Sequence, residues 1–245
     1  MTSTKTHAAV TTGGSALARY QDVMVGSRSL ATTLYYELCA WLGPIPGALG
    51  LGLRKLFWPR LLGSCGSGVL FGANVILRHP RRIHLGDRVV VSDGVILDAR
   101  NSDEARTLVV DEDAMLANYV SINCKGGTVH VGARTGIGAQ TVIHSVAGCP
   151  VEIGADVIIG PRCYLVGGGS YRLDRLDVPI RQQGIEPDAG AVIRDNVWLG
   201  SGVTVLGDVV MESGSVAASG AVVTKPVPAN AVCAGVPARV IRTRQ

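Results

Sequence analysis

The stretch IRDNVWLGSGVTVLGDVVMESGSVAASGAVV, residues 193–223, sets an apolar residue at every sixth position: Ile193, Leu199, Val205, Met211, Ala217 and Val223. Two residues earlier runs a second small or β-branched series, as at Val197 and Val203. Alternation by two inside a period of six describes a short strand followed by a corner, because strand side chains point to opposite faces in turn. The same phase extends backward through Phe71 and Leu77; Leu85, Val91 and Leu97; Val110, Leu116 and Ile122; Val131, Ile137 and Ile143; and Ile153, Ile159 and Leu165. Glycine follows many of these positions, as in Ile137-Gly138 and Ile159-Gly160.

The breaks in the repeat carry as much information as the repeat. Steps lengthen from 97 to 110, 122 to 131, 143 to 153 and 165 to 193, each time after a third hexad. Insertions that recur once per three hexads belong to one corner of a three-sided coil. The pattern therefore predicts an all-β triangular prism whose parallel strands stack about 4.8 Å apart on each face.

Composition agrees. The chain has 245 residues, 32 of them Gly, with 17% charged and 4% aromatic residues. So few charges and so many branched aliphatics exclude disorder, and a helical bundle would carry more Leu, Lys and Glu and less Gly. A net charge of +4 is too small to argue for nucleic acid. Arg54, Lys55, Arg60, Arg78, Arg81, Arg82 and Arg88 stand against the single acid Asp87, a basic run open to anionic lipid, a phosphorylated substrate or plain solvent. Six cysteines without a CxxC pair suggest neither zinc nor a disulfide framework, which makes reduced thiols in the cytoplasm the default.

Residues 1–28 read as a flexible polar tail without a signal peptide. Residues 29–64 read as a helical hairpin: Leu30, Leu34, Leu38 and Trp41 recur at helical spacing, Gly43-Pro44 ends that run, and Leu49, Leu53 and Leu56 begin another. From Ser29 to Leu53 the only charge is Glu37, yet Pro44 and Pro46 interrupt a spanning helix. Arg54, Lys55, Phe57, Trp58 and Arg60 then suit a bilayer interface. Two readings stay open: a cap packed on the main domain, or peripheral membrane contact through residues 30–60 at the inner face of the membrane. The prism is expected over 65–225 with an inserted loop at 166–190, and 226–245 as a C-terminal extension.

Asp195-Asn196-Val197-Trp198-Leu199-Gly200-Ser201, with Thr224-Lys225 and Ala234-Gly235-Val236-Pro237-Ala238-Arg239-Val240-Ile241-Arg242, resembles the hexapeptide-repeat acyltransferases. Gly167-Gly168-Gly169 with Asp174-Arg175-Leu176-Asp177-Val178-Pro179-Ile180 looks like the extended loop of their sugar and glycan O-acetyltransferase branch. The resemblance implies a left-handed parallel β-helix, against the usual crossover hand. It also implies a homotrimer with active sites between prisms, acetyl-CoA as acyl donor, a sugar or glycan-precursor hydroxyl as acceptor, polysaccharide biosynthesis as setting, and a histidine base. By the same resemblance Ser201 and Ser219 present backbone to the pantetheine arm, Thr224, Lys225 and Arg242 lie near the nucleotide, and Trp198 walls the groove.

Acyl transfer to a hydroxyl needs a base for a proton of high pKa and donors for the tetrahedral oxyanion. Here the sequence departs from the family. Ser170 stands where the loop histidine is expected, and a serine hydroxyl is no base near neutral pH. His7 lies in the tail, while His79, His84 and His130 fall at outward, solvated positions. That leaves His144, which follows the inward Ile143 at the insertion corner, one turn below the long loop. Asp98, Asn123 and Val166 occupy the equivalent place on neighbouring turns, so a polar strip lines one cleft, with Asn123 a candidate acceptor contact. Asp174 and Asp177 are candidates to orient His144 or to hold acceptor hydroxyls. Cys163 reads as core and Cys149 as a weak nucleophile candidate. The other reading is a non-catalytic or weakly active trimeric scaffold, given Ser170. A zinc site from His79 and His84 lacks a third histidine, so no metal is expected.

Overall fold

The computed structural model describes residues 14–100, 104–186 and 188–245. Its strands form three parallel sheets that the chain visits in strict rotation. The first face runs from Ser64–Cys65 through Ile83–Leu85, Leu108–Val110, Val129–Val131, Val151–Ile153 and Ala191–Ile193 to Val209–Met211. The third runs from Ile76–Arg78 through Ile96–Asp98, Ser121–Lys125, Val142–Val146, Tyr164–Gly167 and Thr204–Val205 to Val222–Val223. The second face lies between them in chain order, and its edge is extended by a closing hairpin of Ala231–Gly235 and Ala238–Thr243. This is a left-handed β-helix.

Parallel register places one hexad position above the next: Ile122, Ile143, Leu165, Val205 and Val223 form a single column. All twenty positions picked out by the repeat are buried, none more than 5% exposed. Every long insertion leaves the third face and returns to the first, as the spacing required. At the corners, carboxylates reach back one coil to satisfy amides: Asp87 accepts from Ser67 N at 2.6 Å, Asp93 from Ala73 N at 2.6 Å and Asp195 from Ala155 N at 2.8 Å. Such bonds substitute for the ladder where the strands stop.

The N-terminal segment differs from its reading. Residues 1–13 of the expected flexible tail lie outside the described residues, but Ala16–Tyr20 is α-helical and Gln21–Val25 continues it as a π turn. Gln21 donates to Thr33 Oγ1 at 2.8 Å, Val25 is buried, and the carbonyl of Met24 accepts from His79 N at 2.9 Å. The segment is thus fastened to the first coil.

Helices Leu30–Leu42 and Gly47–Phe57 form the expected hairpin, but the face toward the prism is Thr33, Tyr36 and Cys39, not the leucine stripe. Polar bonds set this rotation. The Tyr36 hydroxyl donates to Leu77 O at 2.8 Å, and Trp58 Nε1 donates to Cys39 O at 3.0 Å with its ring tilted on Phe71. Arg54 and Trp58, read above as an interfacial flank, are both 2% exposed. Arg78 and Arg88 pair with Asp98 and Asp113, so the basic run is no continuous patch. Among the described residues no helix is long and apolar enough to cross a membrane.

Candidate functional site

On the third face, the outward position just past each inward aliphatic forms one line: Arg78, Asp98, Asn123, His144 and Val166 stand on successive rungs. Asp98 is fully buried and held by two guanidiniums, Arg78 Nη1 at 3.1 Å and Arg100 Nη2 at 2.6 Å. Asn123 Nδ2 donates to Ser121 Oγ at 2.9 Å. His144 is half-buried, and its Nε2 is buried with no hydrogen-bond partner among the described residues. Loss of water pushes its pKa below the ordinary histidine value, the Lys125 charge adds to this, and Asp98 opposes it. The imidazole is therefore neutral at neutral pH and has a lone pair or N–H that nothing among the described residues uses. An orphaned buried polar atom requires an explanation, and a ligand is one.

The inserted arm springs from the rung above. Strand pairing sets His144 beside Val166 and Ser145 beside Gly167. Two of the three glycines are required by close approach: a Cβ at Gly167 would lie 2.6 Å from Pro150 O, and one at Gly168, whose φ is +79°, 2.5 Å from Val146 O, whereas at Gly169 it is the φ of +96° that favours glycine. Asp188 then fastens both ends of the arm, accepting from Gly168 N at 2.9 Å and from Gly190 N at 2.8 Å. The sequence reading missed Asp188. Its signal is modest, an aspartate two residues before the glycine at which the chain re-enters the coil, where such side chains often bond backbone amides.

Beyond its root the arm is a ribbon in which Ser170–Tyr171 pairs antiparallel with Ile185–Glu186. Ser170 is exposed on it, opposite Glu186. Arg175 holds Asp177 in a fork, and Gln183 bonds both the amide and the carbonyl of Arg175. Asp174 is exposed, and among the described residues it makes no hydrogen bond or ion pair; neither it nor Asp177 touches His144 within one chain.

His130 does not sit at a merely solvated position. It stands on the first face with Asp111 Oδ2 at 2.8 Å from Nε2 and Glu152 Oε2 at 3.5 Å from Nδ1. Glu152 and Asp111 together raise its pKa to about 9, so it is a cation at neutral pH rather than a base. Because the folded value exceeds the unfolded one near 6.5, the stabilisation is complete below about pH 6.5 and is lost as pH rises through about 9. His130→Gln is expected to lower the melting temperature at pH 6 and to leave it unchanged at pH 10. With 43% of the side chain exposed, the effect at pH 6 stays under about 1 kcal/mol. His79 also departs from the solvated reading: Gly26 packs on its ring, Nε2 lies 2.8 Å from Asp22 O, and Nδ1 is buried without a partner among the described residues.

Most of the residues assigned by resemblance to coenzyme A occupy other ridges, while Thr224, just past the inward Val223, continues the line of His144 and Val166 three rungs on. Trp198 is 55% exposed on the second face. Ser201 and Ser219 stack at the corner between the second and third faces, where a Cβ on Gly200 would meet Ser219 N at 2.6 Å. Thr224 and Lys225 follow the last third-face strand, and Arg242 lies on the closing hairpin opposite Val232. Among the described residues no hydrogen bond or ion pair joins this set to His144. Burial raises the thiols of Cys149 and Cys163, which removes both as thiolate nucleophiles at neutral pH. No group of three His, Cys, Asp or Glu among the described residues is arranged to hold a metal ion.

No family model matches the sequence. A Schizosaccharomyces pombe protein whose name provisionally assigns it acetyltransferase activity is 38% identical over 165 residues, covering 64% of this chain and 74% of that protein. The chain belongs to the hexapeptide-repeat acetyltransferases. Within that family, the Escherichia coli galactoside O-acetyltransferase is 34% identical over 117 residues, 48% of this chain and 55% of the enzyme. Among solved structures, the Bacillus cereus N-acyltransferase AntD, in complex with dTDP and coenzyme A, superposes with a TM-score of 0.52 at 18% identity. It covers 79% of this chain and 88% of that one, a likeness of fold.

Proposed function

We propose that this chain transfers an acetyl group from acetyl-CoA to a hydroxyl of a sugar or glycan precursor, with His144 as the general base. The observation that carries the reading is the neutral imidazole of His144, whose buried Nε2 has no partner among the described residues. It lies at the root of the arm, beside Asn123. The base takes the acceptor proton as the oxygen attacks the thioester carbonyl; the tetrahedral intermediate then expels the coenzyme A thiolate, which takes that proton back from the imidazolium. The chain need form no covalent intermediate, since holding both substrates together supplies much of the rate. Asn123 is suited to bind an acceptor hydroxyl, and Asp174 and Asp177 on the arm to bind others. Named relatives that acetylate galactosides support a sugar acceptor.

The donor site is proposed at Trp198, Ser201, Ser219, Thr224, Lys225 and Arg242. Trp198, Ser201 and Ser219 lie on ridges away from His144, and Thr224 stands three rungs beyond it, which supports a homotrimer in which one subunit's donor groove faces the next subunit's strip. Six free cysteines, five of them buried, suit a cytoplasmic setting. The test is thiol release from acetyl-CoA against a panel of free sugars, glycosides and nucleotide sugars, with the mass in solution measured in parallel. Acceptor-dependent thiol release by a trimer is expected. Absence of both acetyl-CoA binding and acceptor-dependent release would return the chain to the scaffold reading.

A further inference from the structure

We infer that the N-terminal helical hairpin docks on the surface of an anionic lipid bilayer. The inference stands on which face each helix leaves open. Along Leu30–Leu42 the outward residues are Leu30, Leu34, Leu38 and Trp41, exposed by 62%, 70%, 48% and 79%. They repeat at the spacing of a single helix face. The inward face contains Thr33 and Tyr36. A helix that serves only as a cap turns its apolar stripe to the core, and this one turns it to the outside. Gly47–Phe57 repeats the arrangement, with Leu49 69% and Leu56 60% exposed. Isolated exposed aliphatics are ordinary, but a whole helix face of them marks a contact surface.

Charge decides which surface. Between residues 29 and 60 the charged side chains are Glu37, Arg54, Lys55 and Arg60. Glu37 is engaged by the Tyr20 hydroxyl, and Arg54 is buried. The exposed ones are Lys55 and Arg60, both cations and neither with a carboxylate partner among the described residues. An apolar face with unpaired cations beside it and no exposed acid matches a bilayer with anionic headgroups. A two-fold pairing of this face with a second copy would instead bring its cations together without counter-charge. Trp41 is placed as interfacial tryptophans are, with its ring outside the protein. Helices of 13 and 11 residues are far below spanning length, so the hairpin lies on the membrane and does not cross it.

The experiment uses the full chain and sucrose-loaded vesicles, one set of phosphatidylcholine alone and one containing phosphatidylglycerol. Sedimentation with the anionic vesicles is expected, weaker with neutral ones and reduced by salt. Leu34→Glu with Leu38→Glu is expected to abolish binding to both. Lys55→Glu with Arg60→Glu is expected to lower binding to anionic vesicles by about tenfold or more and to leave the neutral set unchanged. Should the Glu pair disturb folding, Leu34→Ser with Leu38→Ser carries the same test at unchanged melting temperature. The inference fails if the wild-type chain stays in the supernatant of anionic vesicles, or if both leucine pairs sediment like wild type. It also fails if those pairs reduce the mass of the protein in lipid-free solution, which would assign the face to a second copy. None of these readouts depends on catalysis.

Discussion

His144→Ala is expected to reduce kcat/KM for acetyl transfer by about 10²–10⁴-fold, the usual contribution of a positioned base. Protein stability should hardly fall, because the substitution removes a ring nitrogen that is buried and unpaired among the described residues. His144→Gln is the stricter variant: it keeps a polar group of similar reach but cannot carry the proton, so its loss should equal that of alanine. The pH profile separates a base from a merely structural imidazole. Burial and the Lys125 charge hold the His144 pKa below the ordinary value of 6.5, so the acid limb of the wild-type profile should lie below that value. Lys125→Glu removes one cause of the depression, and the limb should move to higher pH. An alanine variant as active as wild type, or an acid limb indifferent to residue 125, would leave the base to be found elsewhere.

The prism was legible because its hexads are independent votes for one phase. Misreading any single residue would not have changed the column that joins Ile122, Ile143 and Leu165, and the extra residues between Asp98 and Leu108 and between Gly167 and Ala191 could be accommodated only where the prism needed no strand. Register then carried the candidate strip, since Asp98, Asn123 and His144 each follow an inward aliphatic. Two kinds of information were beyond such reasoning. The rotation of Leu30–Leu42 is chosen by single bonds from Tyr36 and Trp58, and an apolar stripe says only that a helix has a face, not what the face meets. The carboxylates around His130 come from the turns before and after it, so they are found only by counting through insertions of unequal length. Asp188 lies inside an insertion, where the repeat gives no phase at all.

Arg54 shows how much of the hairpin depends on a residue that its spacing disguised. The guanidinium, 2% exposed, donates through Nε to Phe71 O at 3.0 Å. Through Nη1 it donates to Ile45 O at 2.7 Å, Gly43 O at 3.1 Å and Leu42 O at 3.2 Å. It thereby ties the second helix to the prism and caps the carbonyl end of the first, where the helix dipole favours a cation. Gly50 has to be glycine for this to fit, since a Cβ there would lie 2.9 Å from Arg54 Nη1 and closer still to Ile45 O. Arg54→Met retains the apolar stem while leaving the carbonyls of Phe71, Ile45 and Leu42 without this donor, Gly43 O keeping Asn74 N, and should cost about 3–5 kcal/mol, since each orphaned buried acceptor costs about 1–3 kcal/mol. Arg54→Lys should recover little, because an ammonium cannot present the planar fork that reaches both Phe71 and the inter-helix turn. Coil stacking is a nearest-neighbour affair, so the loss should be local. In a urea titration followed by circular dichroism, the Arg54→Met helical signal should melt in a separate transition at lower urea, with the β-helix transition near its wild-type midpoint. A single transition at the wild-type midpoint would mean that packing of Tyr36, Cys39 and Trp58 alone holds the hairpin in place.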